Sequence, residues 1–352
     1  MKIVFIDGTP GFSPDRKDKK ATGGILNSLT IIPQYLAQKG HEVWVACQYD
    51  KEVTVNGVHY HPINKELTIP SWDITVLNRN GVNAPLVNYS KKIGAKVVWW
   101  LHDIVDFRYL EDASYRNVDH VIALSEYCKE SFSDFYEINR DKFTVIPNGV
   151  DKSIFYPGNY EDRVKNKMIM ASALIKGFGP IFDTWNNMIR NFSDASLTIY
   201  SSQHLHGLTN SPVQKAFLDE MSGLGCNVQK PIPPHILADK MRESWVLLMP
   251  NNYPEICSNL LLQARACGLP IVTTNIGSAP EFIESGENGI ITKQHPHDLS
   301  WWIKSYAAAV VNLCKDSKMH KLISENTPKG ILSWDQVGEA WNELFERLYI
   351  KD

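Results

Sequence analysis

Short apolar segments alternate with segments of helical periodicity along this chain. Lys2–Ile6 is the first apolar segment, and Glu42–Cys47 is the second. Between them, apolar residues recur at helical spacing over Ile25–Lys39, directly after the glycine pair Gly23-Gly24. A strand, a helix and a second strand in this order form a βαβ unit, whose two strands run parallel. The pattern therefore predicts a protein of the α/β class.

The pattern ends near the middle of the chain and then starts again. Further strands of the first series are predicted at Ile74–Leu77, Lys96–Leu101, His120–Leu124 and Lys142–Ile146. A turn cluster, Pro147–Asp151, closes this series, and the polar segment Asp151–Lys167 is interpreted as a linker. The second series is predicted as strand Met168–Ala173, helix Ile181–Asn191, strand Ser196–Tyr200, helix Ser211–Leu224, strand Cys226–Gln229, helix His235–Glu243, and strands Trp245–Met249 and Leu269–Thr274.

The length of the chain agrees with two domains. A single core rarely grows beyond about 250–300 residues, and this chain has 352. We therefore predict two doubly wound Rossmann-like domains, residues 1–156 and residues 157–333. A final amphipathic helix is predicted over Trp334–Tyr349, with apolar residues at helical spacing: Trp334, Val337, Trp341, Leu344, Phe345 and Leu348.

Composition excludes several classes of partner. With 43% hydrophobic and 21% charged residues and a net charge of −3, the chain has no general attraction for nucleic acid or anionic lipid. No apolar run approaches the ~20 residues of a membrane span, and Met1–Asp7 is interpreted as a strand rather than a targeting signal. The cysteines are scattered without a Cys-x-x-Cys pair, so neither disulfides nor a zinc site is expected. These features favour a cytoplasmic location and no stable nucleic-acid partner.

One segment, Pro250–Glu281, carries the clearest sign of chemistry. Its carboxylate Glu255 lies in a loop between the predicted strand Trp245–Met249 and a helix that opens near Ser258 or Asn259. The amides at a helix N-terminus lack intrahelical partners and lie at the positive end of the dipole, so they bind anions such as a diphosphate. Glu255 next to such a helix predicts a nucleotide-sugar site, although an acidic residue that caps a helix is the commoner arrangement.

The residues of this segment resemble the retaining, sugar-nucleotide-dependent glycosyltransferases of family four, which have the GT-B fold. That family carries two glutamates separated by seven residues, and the second is followed by a small-residue helix end, Gly-x-Pro and a valine-rich strand. The positions that match are Glu255, Ala264, Gly268, Pro270, Ile271, Val272, Gly277 and the pair Pro280-Glu281. The second glutamate, which holds the ribose in the family, is Gln263 here. A glutamine oxygen still accepts a hydroxyl hydrogen bond, but without the charge.

The resemblance implies a role for each matching residue. Two Rossmann-like domains would face one another across a cleft, with helix 334–350 packed back on the N-terminal, acceptor-side domain. Glu255 and His102 would lie beside the transferred sugar as catalytic residues. The donor would be bound by Lys176, Ser172, Gly24, Cys257, Ser258, Asn259 and Gln263. No catalytic metal and no cofactor are expected, because the carboxylates Asp7, Asp103 and Asp106 have no recognised metal-binding spacing.

Several of these residues also have ordinary interpretations. Lys176-Gly177 resembles the family's basic phosphate contact, yet such a pair elsewhere marks an exposed turn. Glycine pairs such as Gly23-Gly24 are common in turns, and lone histidines such as His102 are more often structural. A basic loop, Arg16–Lys20, is either a solvated loop or a mobile contact for an acceptor or a membrane surface. At most a peripheral membrane contact is expected.

The predicted function is that of a metal-independent, retaining glycosyltransferase that moves a sugar from a nucleoside-diphosphate sugar to an acceptor hydroxyl. The alternative is a non-catalytic GT-B domain that binds a sugar nucleotide or a glycan, suggested by Gln263 and by the lack of the arginine that the family often has near Ser172. Epimerase chemistry would need further acid and base carboxylates, which the sequence does not reveal. The acceptor stays open: a glycan, a lipid-linked sugar, a small molecule, a protein or a modified base.

Overall fold

The computed structural model describes residues 1–10, 12–14, 24–65, 71–79, 84–106, 113–171, 178–190, 192–201, 210–294 and 298–350. These residues form two compact units. The first unit comprises the described residues up to 149 together with 332–350, and the second comprises those of 150–331. No helix among the described residues is long and apolar enough to cross a membrane.

Strands and helices alternate along both units. In chain order the strands are β1 (Lys2–Ile6), β2 (Glu42–Cys47), β3 (Val53–Val55), β4 (Val58–Pro62), β5 (Ile74–Asn78), β6 (Lys96–Trp100), β7 (His120–Ala123), β8 (Phe143–Val145), β9 (Lys167–Ala171), β10 (Ser196–Tyr200), β11 (Asn227–Gln229), β12 (Val246–Met249), β13 (Ile271–Thr274) and β14 (Ile290–Thr292). The helices are α1 (Gly24–Gln38), α2 (Ala84–Lys92), α3 (Glu126–Tyr136), α4 (Phe178–Ile189), α5 (Pro212–Gly223), α6 (Pro234–Glu243), α7 (Asn259–Ala266), α8 (Ala279–Phe282), α9 (Leu299–Lys315), α10 (Ser317–Asn326) and α11 (Trp334–Ile350).

The first unit is built on a sheet with the strand order β3-β4-β2-β1-β5-β6-β7-β8. Its pairings are parallel except that β3 runs antiparallel to β4. Helix α11 packs on α1, where Gly338 lies against the ring of Tyr35 and Glu339 accepts a hydrogen bond of 2.6 Å from the Tyr35 hydroxyl. The last helix of the chain therefore completes the unit that the first strand begins.

The second unit has an all-parallel sheet with the order β11-β10-β9-β12-β13-β14. Its central strand β12 is buried on both faces: Val246 and Leu248 belong to one apolar cluster, and Leu247 and Met249 belong to the other. Parallel strands covered by helices on both faces are apolar along their whole length rather than alternating. This arrangement explains the continuous apolar segments of the sequence, and the doubly wound α/β class predicted from them is confirmed.

The segment 151–167 does not behave as a linker, so that interpretation was wrong. Phe155 is buried in the core of the second unit, and the Arg163 side chain is buried as well. The Arg163 guanidinium donates hydrogen bonds to carbonyls at the ends of two helices: those of Met241, Arg242, Ser244 and Cys267, at 2.8–3.1 Å. Burial lowers the pKa of Arg163 to about 10. A charged residue is tolerated in the interior here because carbonyl oxygens replace its water.

Most predicted strands agree with the structure to within one or two residues at each end. The strand predicted from Leu269 begins at Ile271, because Gly268 has a φ of +67° and Pro270 follows. The hairpin of β3 and β4 was not predicted, although Asn56 and Gly57 have the positive φ of a two-residue turn. Five helices and one strand were not predicted either: α2, α3, α8, α9, α10 and β14. All six cysteines are free thiols.

Candidate functional site

The carboxyl edge of the second unit's sheet carries the loop with Glu255. Strands β12 and β13 are paired, and they end side by side at Met249 and Thr274. The Tyr306 hydroxyl of α9 joins them near their ends: it accepts from the Met249 N–H at 2.8 Å and donates to the Val272 carbonyl at 2.6 Å. Ligands of doubly wound sheets bind at such strand ends, so these contacts hold the region from which the loops depart.

The carboxylate of Glu255 is held by a buried asparagine. The Asn251 side-chain nitrogen donates to Glu255 Oε2 at 3.0 Å. The Asn251 backbone carbonyl accepts from the Thr274 hydroxyl at 2.7 Å and from the Gln294 side-chain amide at 3.0 Å. Thr274 is the last residue of β13, and Gln294 follows β14. Glu255 is thereby linked to the end of β13, which lies beside β12, and to the residues that follow β14, the next strand of the sheet.

A glycine lies directly against the backbone of Glu255. Gly277 has a φ of +62°, and a Cβ at this position would overlap the Glu255 carbonyl oxygen and lie 2.8 Å from Glu255 N. The N–H of the next residue, Ser278, donates to the Glu255 carbonyl at 2.9 Å. Only glycine combines this φ with so close an approach. The loop after β13 therefore fixes the main chain of Glu255, and Asn251 fixes its side chain.

Helix α7 begins four residues after Glu255. Ser258 is the buried N-cap residue, and its hydroxyl makes no capping hydrogen bond to the helix. The start of α7, with Asn259 as its first residue, is therefore not closed by the side chain of its own N-cap. Cys257 is half-buried beside it, and Gln263, also half-buried, lies one turn further along. A carboxylate and a helix N-terminus stand together at the sheet edge, as predicted from the sequence.

His102 lies in the first unit, directly after β6. Its ring packs on Trp100 with 4.3 Å between the ring centroids, and its Nε2 is buried without a hydrogen-bond partner. Burial, together with the nearby charge of Arg79, lowers the pKa of His102 to about 3. Arg79 itself forms a bidentate ion pair with Asp103, at 2.7 and 3.1 Å. The His102 imidazole is therefore neutral at physiological pH.

The remaining predicted residues have different outcomes. Gly24 is the first residue of α1, whereas Lys176, Ser172 and the basic loop Arg16–Lys20 lie outside the described residues. Asp7 is buried and accepts from the Thr9 N–H at 2.6 Å and from the Asn78 amide. Nowhere in the described part of the chain do three His, Cys, Asp or Glu side chains meet in a way that could hold a metal ion. Metal independence stays a prediction.

Three residues that shape this site were not predicted from the sequence. Asn251 follows an apolar strand and a proline. Its place at the end of a strand was a usable signal, but no family motif includes it. The sequence offered no signal for Gln294 or Tyr306, because neither β14, which precedes Gln294, nor α9, which contains Tyr306, was predicted.

Two family models match the chain. The model "Glycosyltransferase Family 4" matches residues 22–153, and "Glycosyl transferases group 1" matches residues 165–316. Among curated proteins, the D-inositol 3-phosphate glycosyltransferase of Corynebacterium jeikeium is 22% identical over 250 residues, which are 66% of this chain and 58% of that protein. The match thus spans little more than half the length of this relative.

Solved structures share the fold over nearly the whole chain. The sucrose-phosphate synthase of Thermosynechococcus elongatus has a TM-score of 0.80 at 14% identity and covers 100% of both chains. The HepE protein of Anabaena, in complex with UDP-glucose, has a TM-score of 0.75 at 17% identity, over 99% of this chain and 100% of that one. At such low identity the likeness shows the fold.

Proposed function

Because this chain belongs to the family 4, group 1 glycosyltransferases, whose fold is GT-B, we propose that it transfers a sugar from a nucleoside-diphosphate sugar to an acceptor hydroxyl. The transfer would retain the anomeric configuration and would need no metal ion. The observation that carries the proposal is the anchoring of Glu255. Its backbone abuts Gly277, its carboxylate accepts from Asn251 at 3.0 Å, and helix α7 begins four residues later.

This arrangement suits both charges of the donor. The diphosphate is an anion, and the start of α7, where the Ser258 side chain makes no capping bond, lies at the positive end of the helix dipole and suits such an anion. The sugar ring gains positive charge as its bond to phosphate breaks, and the carboxylate of Glu255 opposes that charge. Preorganisation matters because a group that is already in place does not have to reorganise during the reaction.

In the proposed reaction, the bond between the anomeric carbon and the leaving phosphate oxygen breaks. The acceptor oxygen forms the new bond on the face that the nucleotide leaves, so the configuration is retained. The proton of the acceptor hydroxyl passes to the departing phosphate oxygen, which balances the charges without a dedicated general base. In this scheme Glu255 acts through its charge and transfers no proton.

His102 would act as a neutral group. Because its pKa is lowered to about 3, it carries no charge at working pH and can contribute only a hydrogen bond to a sugar hydroxyl. Its Nε2 is buried and has no hydrogen-bond partner among the described residues. Phosphate binding by Lys176, Ser172 and Gly24 is part of the proposal and rests on the family resemblance alone.

A uridine donor is the first to test, because HepE, which shares the fold, holds UDP-glucose. Gln263 would face the ribose, where its amide oxygen accepts from one hydroxyl and its NH₂ donates to the other. A panel of UDP-, GDP- and ADP-sugars screened by thermal unfolding would identify the donor, since a ligand that binds only the folded state raises its stability by mass action. An unchanged rate in the presence of a chelator would support metal independence.

The decisive variant is Glu255→Gln, which keeps the size of the side chain and removes its charge. We expect a fall in turnover of ~10²–10³, the usual effect of removing one preorganised electrostatic group. Glu287→Gln, an exposed glutamate of the same unit, serves as the control and should retain wild-type turnover. NMR of the product would give the anomeric configuration.

Two results would contradict this function. Saturable donor binding with no sugar released to any acceptor or to water would favour a non-catalytic binding domain. Wild-type turnover by Glu255→Gln would remove Glu255 from the mechanism.

A further inference from the structure

We infer that Asn251 is a positioning residue for the reaction, which holds the Glu255 carboxylate in its working orientation without neutralising it. The inference rests on the function proposed for Glu255. Asn251 is 6% exposed, and its side-chain amide donates to Glu255 Oε2 at 3.0 Å. No sequence motif and no family resemblance pointed to this residue.

The position of Asn251 is set by two other strands of the sheet. Its backbone carbonyl accepts two hydrogen bonds, from the Thr274 hydroxyl at 2.7 Å and from the Gln294 side chain at 3.0 Å. Gln294 is fixed in turn, because its own N–H donates to the Asn275 side chain at 2.9 Å. The Asn251 amide is thus a donor that is anchored from outside the loop it shares with Glu255. A donor held in this way restricts the rotation of the glutamate side chain.

An amide at this position has a chemical advantage over a cation. Lysine or arginine would also orient the carboxylate, but an ion pair would offset the negative charge that the sugar needs during bond breaking. An asparagine NH₂ orients the carboxylate through a hydrogen bond and adds no net charge. Gly277 and Ser278 contact the backbone of Glu255, whereas Asn251 contacts its carboxylate.

The first test is Asn251→Ala, which removes the donor. We expect turnover to fall by roughly 10–100-fold, the range seen when a reacting group is displaced by about 1 Å. The affinity for UDP alone, measured by calorimetry, should stay within about twofold, because Asn251 acts on the group that faces the sugar. A loss of UDP affinity as large as the loss of turnover would indicate a general collapse of the site and would overturn the inference.

The second test, Asn251→Asp, gives a readout that a merely structural role would not change. Two carboxylates at hydrogen-bond distance share one proton, and the pKa of the pair is raised. While that proton is present, the pair keeps one hydrogen bond and one negative charge, as Asn251 and Glu255 do. Loss of the proton leaves two negative charges that repel each other. The turnover of the variant relative to wild type should therefore fall at least tenfold as the pH rises from about 5 to 8.

Asn227→Asp is the matched control. Asn227 is exposed on β11 of the same unit and accepts a hydrogen bond from the Gln229 side chain, so the turnover of this variant relative to wild type should not vary with pH. Two results would overturn the inference: a turnover of Asn251→Asp relative to wild type that does not change with pH, or wild-type turnover of both Asn251 variants. If Glu255→Gln is still impaired in that case, the proposed function stands without the role of Asn251. If Glu255→Gln turns over like the wild type, the proposed function fails, and the role of Asn251 fails with it.

Discussion

Substitution of Gly277 by alanine tests whether the Glu255 loop is held as the structure indicates. The φ of Gly277 is +62°, and the added Cβ would lie 2.8 Å from both Glu255 N and Pro254 C while overlapping the Glu255 carbonyl oxygen. All three are backbone atoms, so no side-chain rotation can relieve the overlap. Either the loop that carries Glu255 moves, or the contact between the two loops opens.

The expected loss of stability has two parts. A residue with a Cβ in the left-handed region costs about 1–2 kcal/mol, and forcing an extra methyl group into a packed site costs about 1–3 kcal/mol. Gly277→Ala should therefore destabilise the second unit by about 2–5 kcal/mol. For a domain of about 150–250 residues this corresponds to a fall in Tm of roughly 4–20 °C. If the loop moves by about 1 Å, turnover should also fall by up to ~10².

Gly225→Ala separates these two parts. Gly225 also has a positive φ, +81°, but its Cβ would meet no heavy atom within 4 Å. It should therefore show only the first loss, about 1–2 kcal/mol, with wild-type turnover. Calorimetric unfolding of both variants and of the wild type, with initial rates at 25 °C, gives the comparison. Equal transition temperatures for the two variants, together with wild-type turnover of Gly277→Ala, would refute this account of the Glu255 loop.

Three further predictions concern the supporting structure. Gly338→Ala should destabilise the first unit by about 1–3 kcal/mol in thermal unfolding, because its Cβ would lie 2.5 Å from Tyr35 Cδ1; an unchanged Tm would contradict the packing of α11 on α1. Tyr306→Phe should lower the free energy of unfolding by about 1–3 kcal/mol, since it leaves the Met249 N–H and the Val272 carbonyl without the hydroxyl that joins them. The control is Tyr160→Phe, which removes a hydrogen bond to His320; an equal or smaller loss of stability in Tyr306→Phe would contradict the prediction. The NMR signals of the His102 imidazole should not titrate between about pH 5 and 8, because its pKa is about 3. The unfolded chain protonates this ring below about pH 6.5, so its contribution to stability is full above that pH and declines as the pH falls toward 3.

Much of the architecture follows from local features of the sequence. Strands β1, β2 and β10 have the predicted bounds, and α7 begins at one of the two predicted residues. Apolar periodicity and glycine stops act over a few residues, so they can be read without knowledge of the fold. The hairpin at Asn56-Gly57 has an equally local signal, because an Asn-Gly pair favours a two-residue turn with positive φ at both residues. It was not predicted.

The sequence by itself determined the α/β class, the order of most strands and the location of a carboxylate before a helix N-terminus. It did not determine which side chains hold that carboxylate. The hydroxyl and amide that anchor Asn251 come from residues 23 and 43 positions further along the chain. The pKa of His102 depends on its burial and on the charge of Arg79, which is 23 positions earlier in the chain. Arg163, in a segment that looks polar and exposed, is buried because four carbonyl oxygens of the packed unit accept its hydrogen bonds. Hydrogen-bond partners and burial are properties of the folded arrangement, since they depend on which distant segments the sheets bring together.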